Sequence, residues 1–118
     1  MTDCSVYVGL LTDRRFKWVG GDWNGNVPRS ISPDFPPARE HYNRVFHAWV
    51  KRSGVECKQT DFGGWVAKVT KAQIDDYVRF SYEGQEDLSW VAHGLPKLQA
   101  WLSELDAKTV YALVATEF

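Results

Sequence analysis

The chain is poor in the residues that carry ready-made chemistry. It has two cysteines, Cys4 and Cys57, and three histidines, His41, His47 and His93, in 118 residues. Neither cysteine belongs to a CxxC pair, and His41 and His47 are six apart rather than the four of a helical zinc pair. No metal or other cofactor is expected on that spacing. There is no GxSxG elbow, which removes the commonest serine-nucleophile signature. No apolar run approaches the roughly 20 residues that cross a bilayer, so no membrane partner is expected. Met1-Thr2-Asp3-Cys4 has no basic stretch followed by an apolar one, so no secretory signal is read there. Few thiols and no leader together give the expectation of a cytoplasmic protein with reduced cysteines.

What the chain does have is aromatic mass. Six of its residues are tryptophan and 14% are aromatic. Large rings build a dense core in a small chain, since each buries about 150–250 Å². A length of 118 residues then fits a single globular domain, residues 1–118, that needs no staples. Net charge is −1, with +3 on residues 1–58 and −4 on residues 59–118. A slightly acidic chain is a poor match to nucleic-acid domains, which are usually strongly basic.

Alternation of β-branched and aromatic residues predicts a first strand over Cys4 to Leu11 and a second over Phe16 to Val19. A proline-punctuated connector runs from Val27 to Pro37, in which Asp34 or Ser32 can cap a helix. That helix is expected from Pro37 to Arg52. Tyr42, Val45, Phe46, Trp49 and Val50 form its apolar stripe and Gly54 its stop. Val55 to Thr60 and Gly64 to Val69 read as paired strands. Thr70 and Gln73 have the spacing of a capping box, opening a helix with Ile74, Tyr77, Val78 and Tyr82 on one side. Gly94 and Pro96 are expected to split the next helical stretch, Asp87 to Asp106, into two short helices. Thr109 to Phe118 is apolar on both faces, which suits an interior strand. The order predicts an α+β fold: a single mostly antiparallel or mixed sheet of four to five strands with about three helices packed on it.

Two surfaces stand out. Trp18 and Trp23 lie in a Gly-rich, basic segment that also holds Arg14 and Arg15 and is followed by Arg29. Trp and Arg are the residues that most often anchor interfaces. A loop carrying them on a rigid sheet is a common binding arrangement, so Arg14, Arg15, Trp18, Trp23 and Arg29 are read as partner-binding residues, with another protein as the partner. Bases also stack on Trp while Arg neutralises phosphate, so single-stranded nucleic acid is an alternative. The second surface is the outer face of the first long helix, where His41, Arg44, His47 and Lys51 gather. Two imidazoles and two cations can hold an anion, or move protons on a phosphorylated or nucleotide substrate if a cleft adjoins them.

Together these features favour a small non-catalytic binding protein. Chains of this size without an enzyme signature are often accessory, inhibitor or immunity-type factors of bacteria or phages.

Overall fold

The computed structural model describes residues 4–13, 27–36, 42–60 and 64–117. Among them the elements run β1 (Cys4–Leu10), α1 (Tyr42–Ser53), β2 (Cys57–Gln59), β3 (Gly64–Thr70), α2 (Lys71–Tyr82), α3 (Ser89–Leu102) and β4 (Val110–Glu117). The four strands form one antiparallel sheet in the order β1-β4-β3-β2. With three helices packed on it, this is the expected α+β domain. The second predicted strand, Phe16 to Val19, and the start of the first helix lie outside the described residues.

Strand β4 is interior, paired with β1 on one side and β3 on the other. Its residues Tyr111 to Thr116 are all buried, as two apolar faces require. Tyr111, Leu113 and Ala115 join Val6, Val8, Ala67 and Val69 under the helices. Ala112 and Val114 point the other way and cluster with Val66. Period-two alternation thus divides the sheet into a helix-covered face and an opposite face.

The helices follow their apolar stripes. Phe46 and Trp49 of α1 and Ile74 and Tyr77 of α2 are fully buried, or nearly so. The Trp49 ring meets Tyr77 edge-on with centroids 5.3 Å apart, a geometry that suits the aromatic quadrupole. Where α1 leaves the core, Arg52 lies over the Phe80 ring at 5.4 Å. Thr70 and Gln73 form the reciprocal capping box at the start of α2: the Thr70 hydroxyl accepts from the Gln73 amide at 3.3 Å, and the Gln73 side chain accepts from the Thr70 amide at 2.9 Å. Gly54 and Gly84 follow α1 and α2 with φ of +72° and +79°, the left-handed turn that a side chain disfavours.

Two local expectations are corrected. Ser32 is no helix cap. Its hydroxyl accepts from the Val8 amide at 3.0 Å, because the connector lies along the free edge of β1. Ile31 and Phe35 donate backbone bonds to Val8 and Val6 there, so much of an otherwise open strand edge is covered. Gly94 and Pro96 do not divide α3, which runs unbroken from Ser89 to Leu102 with Pro96 inside. An interior proline costs about 3 kcal/mol. Burial of Val91 before it and of Leu98 and Leu102 after it offsets that cost, and Pro96 itself is exposed, so the interrupted turn faces water. His93 is therefore mid-helix and exposed.

Candidate protein-binding surface

The Trp/Arg segment is defined by its two ends. Arg14, Arg15, Trp18 and Trp23 lie outside the described residues. The chain enters that segment through Leu11 to Asp13 and leaves it through Val27 to Arg29, and these flanks are described. They are held together. The Arg29 amide donates to the Asp13 carboxylate at 2.7 Å. The Asp13 amide in turn donates to the Leu10 carbonyl at 3.2 Å, which fixes the turn that leads out of β1.

The flanks are also anchored on the sheet. Leu11 and Val27 pack against Val66, Ala112 and Val114 on the face away from the helices, and Tyr7 does the same. The Tyr7 hydroxyl donates to the Pro28 carbonyl at 2.6 Å, and Pro28 is buried. Gly9 and Ser30 form an antiparallel bridge immediately beyond. The described flanks, Leu11 to Asp13 and Val27 to Arg29, therefore meet at one fixed point on the sheet. Arg29, the described member of the predicted binding set, is exposed beside that point. Leu10 and Ile31 nearby are 38% and 39% exposed, so the rim of the stem offers apolar as well as cationic surface.

The other tryptophans separate cleanly. Trp49 is fully buried, and Trp65 and Trp101 are partly buried against the main core. Trp90 is 48% exposed, at the start of α3. Because α3 packs into the helix-side core, Trp90 and the Leu11–Val27 flanks belong to opposite faces of the sheet.

Of the predicted anion-binding set, His41 lies outside the described residues. Arg44, His47 and Lys51 are all exposed on α1. His47 is also an aromatic packing residue: its ring stands at 88° to Trp65 with centroids 4.8 Å apart, and it contacts Phe46 edge-on at 5.7 Å. A groove of about 580 Å³ does exist, but it lies between α2 and α3 and takes no residue from α1. Among the described residues, no three His, Cys, Asp or Glu side chains gather closely enough to hold a metal ion. No described helix is long and apolar enough to cross a membrane.

Sequence reasoning found the aromatic and cationic segment but missed its fastening. Asp13 is one acid in a turn, and nothing in its neighbours points to a partner 16 positions away.

Comparison with protein-family models, with curated proteins and with solved structures finds no match.

Proposed function

We propose that this domain is a small non-catalytic binding protein, of accessory or inhibitor type, that engages another protein through Arg14, Arg15, Trp18, Trp23 and Arg29. The observation that carries this reading is the fastening of both ends of the segment at one point, by the Asp13–Arg29 bond and by Leu11 and Val27 on the sheet. A segment tethered at a single rigid base loses less freedom on binding than a free one, and that saving appears as affinity. Tryptophan and arginine then supply the contacts that dominate interfaces. The half-buried free thiol of Cys57 accords with action in the cytoplasm.

The test is affinity capture from the native host, read by mass spectrometry, with the wild-type chain and the Arg15→Ala/Trp23→Ala variant side by side. The expected result is a protein companion that the variant loses while its melting temperature stays nearly unchanged. Exposed substitutions usually move stability by less than about 0.5 kcal/mol. A large fall in melting temperature would instead make these residues structural. Recovery of single-stranded nucleic acid, with binding that weakens steeply in salt, would replace the protein partner.

A further inference from the structure

We infer that the outer ridge of α2 is the contact face of a homodimer, in which α2 packs against α2 of a second copy in antiparallel fashion. This inference is independent of the Trp/Arg segment. Lys71, Asp75, Arg79 and Glu83 succeed one another at intervals of four along α2 and its cap. All four line the same side of the groove between α2 and α3. Residues four apart stand on one ridge, rising about 6 Å per step.

The order of signs is plus, minus, plus, minus. Read backwards it becomes minus, plus, minus, plus, which is the complement of itself. A two-fold axis near the middle of α2 therefore sets Lys71 opposite the second copy's Glu83 and Asp75 opposite its Arg79, and the same pairs recur on the other side of the axis. A parallel arrangement in register would set like against like. Two-fold interfaces are self-complementary by construction, and this ridge meets that requirement with four residues.

Shape supports the same arrangement. Beside the ridge runs a groove of about 580 Å³ whose walls include Val78, Leu95 and Leu102. Separately from that cavity, ridges at intervals of four on the surfaces of two helices pack together when the axes cross at about −50°. In that crossing the two charged ridges lie parallel to each other. The Lys71 ammonium already sits 2.9 Å from the Asp75 carboxylate within one copy. A carboxylate accepts more than one donor, so Asp75 can serve a facing arginine as well.

Sedimentation equilibrium of the full chain at low and high salt tests the dimer. The wild type is expected to associate reversibly, and more weakly as salt rises. Arg79→Glu alone puts two acids face to face at both symmetry-related positions, and Asp75→Lys alone does the same with cations. Each is expected to weaken association at least roughly tenfold per facing pair, since like-charge contacts cost several kcal/mol and about 1.4 is tenfold. Mixed together, the two variants are complementary at both positions and should recover association. The double exchange Asp75→Arg/Arg79→Asp keeps the facing pairs opposite in sign and should still dimerise, whatever it costs the single helix. Circular dichroism checks that each variant folds. A wild type that stays monomeric at every concentration overturns the inference, as does a mixture no more associated than its components. The Arg15→Ala/Trp23→Ala variant should dimerise like wild type, which separates this outcome from that of partner capture.

Discussion

The indole N–H of Trp49 in α1 donates to the Asp76 carboxylate in α2 across 2.9 Å. Trp49 is fully enclosed, so its one polar atom is satisfied at the seam between two helices. Such a donor is costly to leave without a partner.

Replacing Asp76 by alanine is therefore expected to destabilise the domain by about 1–3 kcal/mol, the usual cost of a buried donor left unpaired. Asp76→Asn keeps an oxygen acceptor and should lose distinctly less. Urea unfolding followed by tryptophan fluorescence measures both. Equal losses in the two variants would mean that the bond is unimportant and that packing around Asp76 sets the cost.

The Asp13–Arg29 bond makes a different prediction, because it is exposed and joins two chain segments at the surface rather than in a core. Asp13→Ala should cost no more than about 1 kcal/mol in global stability. Its effect should be local. The amides of Arg29 and Asp13 should exchange with solvent faster than in wild type, while those of β4 keep their protection. Hydrogen exchange read by NMR makes the comparison. Uniform loss of protection across the sheet would show that the stem and the core open together.

How far such relationships can be seen in the sequence depends on their range. The capping box at Thr70 and Gln73, the buried stripe of α1 and the two-faced burial of β4 are local patterns, and each was legible. Local grammar failed where a distant contact decided the outcome. Pro96 reads as a helix break until Val91, Leu98 and Leu102 are seen to sit in one core. Ser32 reads as a helix cap until the connector is found beside β1, where the Val8 amide claims its hydroxyl. The Trp/Arg segment was conspicuous by composition, but Asp13 as its fastener was not, since its partner is 16 positions away. The alternating charges of α2 were visible in principle at intervals of four. Their place beside a groove requires α3, which no spacing within α2 reveals.

Gly94 tests the close contact that lets α3 approach the connector. A Cβ at this position would stand 2.9 Å from Cγ of Pro36, and the Pro36 carbonyl is fixed by a 2.7 Å bond from the Tyr82 hydroxyl. Alanine favours a helix over glycine by about 1 kcal/mol. Overpacking against a pinned ring costs about 1–3 kcal/mol, so Gly94→Ala should be destabilising on balance. Tyr82→Phe releases the pin. The double variant should then be more stable than the sum of the single losses predicts, by at least about 0.5 kcal/mol. A stabilising Gly94→Ala in thermal melts would show that the connector yields freely.

Cys57 gives the domain a pH dependence on its alkaline side. It is half-buried in β2 against the main core, and burial pushes its thiol from the ordinary 9.0 up to about 11. Below pH 9 the thiol is neutral in both the folded and the unfolded chain, and this group leaves stability unchanged. Between pH 9 and about 11 the unfolded chain ionises first, so stability falls across that window. Wild type should therefore lose stability relative to Cys57→Ala as pH is raised from 9 to 11, with no such divergence between pH 6 and 8. Reactivity follows from the same shift. The thiolate is the nucleophile, and two units of pKa reduce its population roughly hundredfold. Alkylation of Cys57 at pH 8, followed peptide by peptide in a mass spectrometer, should be slowed accordingly in the native protein and recover in urea. A native rate equal to the unfolded one would place the sulfur in open solvent and remove both effects together.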